Sequence, residues 1–328
     1  MWVGTITGGQ PGPTLAIRAD MDALPIHEQT GLPFASQVEG RMHACGHDIH
    51  TTTLVGVAEV LQRLAPQLRG TVKLIFQPAE ETGAGAAAMI AEGVLDGVDY
   101  ALGFHNHPDM PTGRFAYVRG ASLAAVDGFD ITVHGRSGHA AYPHTTVDPI
   151  VAAASLVTQL QTVVSRETPP MRPVVVTVGA IHGGSVRNII PDACVLRGTV
   201  RTLHPEMRDL AETAIRRLCA GIQEGMRVRV ELAYHRSVPP LLNDDAMVDR
   251  GVASIRAQMG DVISLGEASL GGEDFAYMAE LVPSFQVRIG SGAPGRNDKL
   301  HNSGYQPDEA CLGTGVQALS RVALELLS

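Results

Sequence analysis

The stretch "TVKLIFQPAEE" (residues 71–81) decides the fold. A short apolar run closed by a proline and two adjacent acids reads as a buried strand with polar groups at its carboxyl end. Two other runs share this form. "TLAIRAD" (14–20) ends in an acid, and "DYALGFHNHP" (99–108) ends in histidines. Helical segments separate them: "TTTLVGVAEVLQRLAP" from residue 51, then "AGAAAMIAEGVL". Strands alternating with helices predict an α/β domain with a mostly parallel sheet covered on both faces. Ligands bind such sheets at the carboxyl ends of the strands. That edge gathers Asp20, Asp22, Glu80, Glu81, His105 and the loop 42–50.

The rhythm changes near residue 127. "GFDITVHG", "RPVVVTVGAIHGG", "ACVLRGTVRTL" and "RVRVELAYHR" read as strands. "DPIVAAASLVTQLQTVVSRE" and "PEMRDLAETAIRRLCAGIQEGM" have helical period, the latter with Pro205 at its start. The order β-α-β-β-α-β is that of a ferredoxin-like α+β sandwich. The expected organisation is one domain of residues 1–118 and 236–328, with residues 119–235 inserted.

A chain of 328 residues is long for a single core. Hydrophobic residues at 45% and charged residues at 18% are ordinary for a globular protein. A net charge of −9 without a basic tract argues against nucleic acid as a partner. No apolar run is long enough to span a bilayer, so no membrane partner is expected. "MWVGTITGGQPGP" lacks the charged and apolar regions of a signal peptide. Cys45, Cys194, Cys219 and Cys311 are far apart, which predicts free thiols and a cytoplasmic setting.

The loop "MHACGHDIH" (42–50) has two readings. Cys45 as a nucleophile needs a neighbouring imidazole to lower its pKa. The metal reading pairs the thiolate of Cys45 with the imidazole of His47, donors that suit borderline divalent ions. Adjacent residues of an extended or turning segment point in different directions. One of Glu80 and Glu81 can then ligate while the other handles a proton. His105 and His301 offer further ligands. The nucleophile reading leaves Glu80, Glu81, His105 and His301 without a task. His43, His50 and His107 are candidates for orienting ligands. His27, His134, His182, His204 and His235 read as ordinary surface or hydrogen-bonded histidines. "GAIHGGS" (179–185) has no lysine and is no phosphate loop.

"RADMDALP", "MHACGHDIHTT", "QPAEETGAGA", "GFHNHPDMPTG", "HGRSGHAAYPH", "RNIIPD", "GGEDFA" and "LHN" follow one another along the chain. In that order they resemble the signature blocks of one family across essentially the whole chain. It is the metal-dependent amidohydrolase family of hippurate hydrolase, N-acyl-amino-acid aminoacylases and auxin-conjugate hydrolases. The resemblance implies two divalent metal ions per chain, Mn2+ or Zn2+, held by Cys45, His47, Glu81, His105 and His301, with Cys45 bridging. It implies Glu80 as general base and acid, Asp22 orienting a ligand, and His139 reaching the developing oxyanion. Asn188, and more weakly His144, would hold substrate. "GGEDFA" would support the site or touch substrate. The inserted domain would be a lid and dimerisation domain, making the protein a homodimer acting on a small N-acyl amino acid. Family members usually begin with several dozen further residues, whereas this chain opens at "MWVGTITGG" with every ligand block present. Two alternatives follow from the same resemblance: a shortened, non-catalytic metal-binding relative, or a carboxypeptidase-type peptidase.

Overall fold

The computed structural model describes residues 2–328. The chain separates into two units. One comprises the chain through Ser122 with Leu241–Ala268 and Glu273–Ser328; the other comprises Leu123–Pro240 with Ser269–Gly272.

The first unit is built on a seven-stranded sheet. Its spatial order is Trp2–Thr7, Arg69–Gln77, Gln10–Asp20, Tyr100–Pro111, Ser284–Gly292, Phe115–Tyr117, Ile263–Leu265. From Arg69–Gln77 to Ser284–Gly292 the four strands run parallel. Trp2–Thr7 pairs antiparallel at one edge, and the direction reverses again at Phe115–Tyr117. The sheet is therefore mixed around a parallel centre, in an α/β architecture. Leu15 to Asp20 are all buried, the continuous burial of a strand covered on both faces. Leu54, Val57 and Leu61 of helix His47–Leu64 join the same core as Leu15, Ile17, Leu102 and Phe104. Val248, Val252 and Ile255 of helix Asp245–Met259 and Leu319, Val322 and Leu326 of helix Cys311–Leu326 complete it. Asp244 caps its helix by accepting from the Met247 amide at 2.9 Å.

The third strand read from the sequence runs further than its apolar run suggests. Pairing with Ser284–Gly292 continues to Pro111, three residues past the stretch 99–108, and His105 and His107 lie within the strand.

The second unit follows the β-α-β-β-α-β order. Strands Ala125–His134, Val174–Gly183, Ala193–Thr202 and Arg229–Arg236 form an antiparallel sheet whose order is fourth, first, third, second. Helices Pro149–Thr162 and Pro205–Met226 share its core with Phe129, Ile131, Val133 and Leu196. Asp148 caps the first helix through the amides of Ile150 and Val151, with Pro149 at the first helical position. Buried Arg208 grips Asp127 through Nη2 at 2.6 Å and Nε at 3.0 Å. Its Nη2 also donates to the Ser237 carbonyl at 2.8 Å. Among the described residues no helix is long and apolar enough to cross a membrane. The four cysteines are free and buried.

Candidate metal centre

Five chain segments, one of them strand Tyr100–Pro111 with His105, bring polar groups to the carboxyl edge of the parallel strands. Strand Gln10–Asp20 ends in Asp20, with Asp22 two residues on. Strand Arg69–Gln77 is followed by Pro78 and Ala79, and Ala79 takes φ 59°, a left-handed conformation uncommon outside glycine. The Ala79 carbonyl accepts from the Gly85 amide at 3.1 Å, closing a turn around Glu80 and Glu81. Asp22 fixes that turn by accepting from the Glu81 amide at 3.1 Å. Helix His47–Leu64 begins after Gly46, whose φ is 80°. A Cβ on Gly46 would lie 2.2 Å from Asn106 Nδ2, so only glycine fits there. His301 also has φ > 0, at 60°, and its amide donates to the Ala44 carbonyl at 2.8 Å. Two non-glycine residues in the left-handed region, one of them a candidate ligand and the other next to Glu80, mark stored backbone strain at this edge.

These segments bring Cys45, His47, Glu80, Glu81, His105 and His301 together. Cys45 Sγ lies 3.6 Å from His105 Nε2. Glu81 Oε1 lies 3.2 Å from His301 Nε2 and 3.9 Å from His47 Nε2. The ligand atoms of Cys45, His47 and His105 fall within 4.8 Å of one another, as do those of Cys45, Glu81 and His301 and those of His47, Glu80 and Glu81.

Hydrogen bonds decide which nitrogen each imidazole presents. The Asn106 carbonyl can only accept, so His105 Nδ1 donates to it at 2.7 Å, leaving the Nε2 lone pair toward Cys45. His47 Nδ1 meets Asp22 Oδ1 at 3.1 Å, while its Nε2 is buried with no hydrogen-bond partner. Burial works to lower the His47 pKa, but the Asp22 bond and the Asp20 charge raise it, which makes Nε2 a stronger base toward a proton or a metal ion. Glu81 Oε1 likewise makes no hydrogen bond; its 3.2 Å approach to His301 is close without the alignment of one. His50 differs. It accepts the Asn106 amide at Nε2, 2.8 Å, and gives Nδ1–H to Asp20 Oδ1, 2.5 Å. Burial pushes it down to about 3, so it is a neutral support with both nitrogens occupied. His43 Nδ1 donates to the Asp22 carbonyl at 3.1 Å.

Behind the donors lies a buried ion network. Fully buried Arg18 reaches Asp20 at 2.7 Å, Asp274 at 2.8 Å and Glu273 at 3.1 Å, and donates to Gln77 Oε1 at 2.9 Å. Asp274 also accepts from Gln77 Nε2 at 2.7 Å and from the Ala86 amide at 2.9 Å. Glu80 shares a cluster with Glu273 and Asp274. Burial, with Glu273 beside it, pushes the Glu80 carboxyl up to about 10. Burial also raises the Cys45 thiol, and the carboxyls of Glu81, Asp20 and Glu80 raise it further. That is the opposite of the electropositive setting a nucleophilic thiol requires.

The residues fit a cation. Two buried acceptor atoms, His47 Nε2 and Glu81 Oε1, lack partners. Four carboxyls (Asp20, Glu80, Glu273 and Asp274) act on one guanidinium, and Asp22 and Glu81 add two more at the same edge. Thiol, imidazole and carboxylate donors together suit zinc-like and manganese-like ions.

Asp22 is at the edge with these groups, bonded to His47 and to the Glu81 amide. His139, His144 and Asn188 lie in the second unit. Ile189 pairs with His139 in a short antiparallel bridge, and the Ala140 amide donates to the Asn188 carbonyl at 3.1 Å. His139 and His144 flank Tyr142, at ring separations of 5.4 and 6.4 Å. "GGEDFA" supplies Glu273 and Asp274 to the Arg18 network. Arg18, Gln77, Asn106 and Tyr305 were not anticipated. Arg18 had a signal, a charged residue inside the otherwise apolar "TLAIRAD".

A parallel-sheet edge on which thiol, imidazole and carboxylate donors converge has the donor chemistry of a divalent-metal centre. The chain belongs to peptidase family M20/M25/M40, whose model matches residues 16–325. It is 40% identical to the N-acetylcysteine deacetylase of Bacillus subtilis over 99% of this chain and 84% of that protein. It is 37% identical to thermostable carboxypeptidase 2 of Saccharolobus solfataricus, over 98% of this chain and 83% of that one. The crystal structure of the Bacillus subtilis YXEP protein, described as a dinuclear metal binding peptidase from the M20 family, superposes with a TM-score of 0.88 at 37% identity. That match covers 99% of this chain and 84% of the other.

Proposed function

We propose that this protein hydrolyses the amide bond of N-acyl or N-aroyl amino acids in the manner of hippurate hydrolase. The observation that carries the reading is the convergence of Cys45, His47, Glu81, His105 and His301 with Glu80 beside them. Two divalent ions, manganese or zinc, held by those five residues with Cys45 shared, would polarise the amide carbonyl and lower the pKa of water. Glu80 takes the attacking water's proton on its carboxylate and passes it to the leaving amine nitrogen. Its buried, acid-rich surroundings push its pKa up, and the two cations beside it would offset that and keep Glu80 the carboxylate that the first transfer requires. Asp22 holds the His47 ring with Nε2 toward the donors. His139 donates to the developing oxyanion, and Asn188 and His144 hold substrate. The same residues serve carboxypeptidase-type cleavage, and a relative bears that name. The reading includes a cytoplasmic homodimer formed through the second unit; the free thiols support the compartment and the family resemblance the dimer.

Elemental analysis of the purified chain, with hydrolysis of hippurate and an N-acetyl-amino-acid panel including N-acetylcysteine, tests this. The expected result is bound metal and turnover abolished by chelator and restored by manganese or zinc. Glu80→Gln should keep its metal and lose about 10²–10⁴-fold in turnover. Chelator-resistant hydrolysis, or Glu80→Gln at the wild-type rate, would refute it. Metal without turnover on any substrate would favour the non-catalytic relative.

A further inference from the structure

We propose that Asn106 is the positioning residue that sets the relative placement of the Cys45 and His105 donors; this rests on the metal-centre reading above. Asn106 sits where three ligand-bearing segments meet. Its carbonyl takes the His105 Nδ1 proton at 2.7 Å, which turns Nε2 toward Cys45. Its side-chain Nδ2 donates to the Cys45 carbonyl at 2.6 Å. Its Oδ1 accepts from Ser291 Oγ at 2.9 Å and from the Tyr305 hydroxyl, four residues beyond His301.

The amide can take only one orientation. The Cys45 carbonyl is an acceptor, so the NH2 group must face it, while the two hydroxyls reach Oδ1. Gly46 matches this amide, since a Cβ there would lie 2.2 Å from Nδ2. The backbone of the thiol loop is therefore seated directly on the Asn106 side chain. Asn106 is buried and saturated, so it touches neither solvent nor substrate. Its action runs through the two donors it holds. An aspartate of the same shape keeps the hydroxyl contacts but puts a carboxylate oxygen against the Cys45 carbonyl oxygen.

The test is cobalt(II) titration of the metal-free full-length protein, read by the thiolate-to-cobalt charge-transfer band and by competition with a chelator. Wild type should show the band. Asn106→Asp should bind cobalt about 10–100-fold more weakly, the effect of losing a partner that orients a ligand. At saturation its band should be shifted or weakened, while the circular dichroism spectrum is kept. Tyr305→Phe removes one hydroxyl from Oδ1 and should show a smaller loss of affinity in the same direction with the band retained. An Asn106→Asp protein with wild-type affinity, or with weaker affinity and an unaltered band, overturns the proposal. If Asn106→Asp does not fold, unchanged affinity in Tyr305→Phe overturns it. Absence of cobalt binding in wild type overturns the metal-centre reading itself.

Discussion

Replacing Arg18 with methionine isolates the buried ion network. The guanidinium is fully buried and serves Asp20, Glu273 and Asp274. Removing one member of a buried ion pair typically costs about 3–5 kcal/mol, because the remaining charge is stranded. Here each stranded carboxylate keeps some support. Asp20 retains His50; Asp274 retains Gln77 Nε2 and the Ala86 amide; Glu273 retains Gln286 Nε2 at 2.8 Å and the Phe275 amide at 3.0 Å. The expected loss at pH 7 is therefore about 3 kcal/mol, the low end of that range. The pH dependence follows from the carboxyls. In the wild type, burial works to raise Asp20, but His50 and Arg18 hold it well below the ordinary range. Its stabilisation is present above the unfolded pKa and is lost as pH falls through the folded one. Burial already pushes Asp274 up to about 6 against the pull of Arg18. Without Arg18 these carboxyls rise further, so between pH 7 and 5 the variant holds on average more protons on them than the wild type does. The gap should then narrow by about 1.4 kcal/mol per pH unit for each extra proton held. Urea denaturation followed by circular dichroism at pH 7 and pH 5 measures both quantities. Arg208→Met, which strands Asp127 in the second unit, should destabilise by a similar amount and leave metal uptake untouched. An Arg18→Met loss below about 1 kcal/mol, or a gap unchanged between the two pH values, would refute the reasoning.

Two other outcomes are expected. Gly46→Ala places a Cβ 2.2 Å from Asn106 Nδ2 and should lower both the thermal midpoint and cobalt affinity; Gly31→Ala, also at positive φ (+69°) but with nothing within 4 Å, should cost only the left-handed backbone term of about 1–2 kcal/mol and leave cobalt binding intact. Burial pushes Cys219 up to about 11 and Cys311 up to about 12, and raises Cys45 as well, so iodoacetamide at pH 7 should label the native protein negligibly and all four thiols once unfolded; rapid labelling of Cys45 with loss of turnover would restore the nucleophile reading.

Three interior strands of the first unit's sheet and the elements of the second unit were legible because they are strongly patterned. Helix Pro205–Met226 begins and ends where proline and period put it, and Asp20, Glu80, Glu81 and His105 end the apolar runs whose carboxyl edge gathers the donors. Strand order was not legible: nothing local in "SFQVRIGSG" says that it lies between Tyr100–Pro111 and Phe115–Tyr117. Nor does anything near Trp2–Thr7 show that it pairs antiparallel with Arg69–Gln77, about sixty residues on. The support network was hidden for a related reason. Asn106 and Tyr305 are unremarkable residue types whose importance comes from contacts across long sequence separations, and Arg18 acquires partners only when Glu273 and Asp274 arrive.

The bond between Arg18 and Asp274 spans 256 positions. The second unit, by contrast, is nearly one continuous run, Leu123–Pro240. On the ribosome, that run is complete before strand Ser284–Gly292 has been made. The order of synthesis therefore leaves every segment of the ferredoxin-like unit's main run available while the first unit's sheet still lacks an interior strand. Cys45, His47, Glu81 and His105 are synthesised early, but they acquire their last neighbour only with His301. If the donors hold a metal as proposed, the full donor set exists only once the C-terminal part of the chain has joined the sheet.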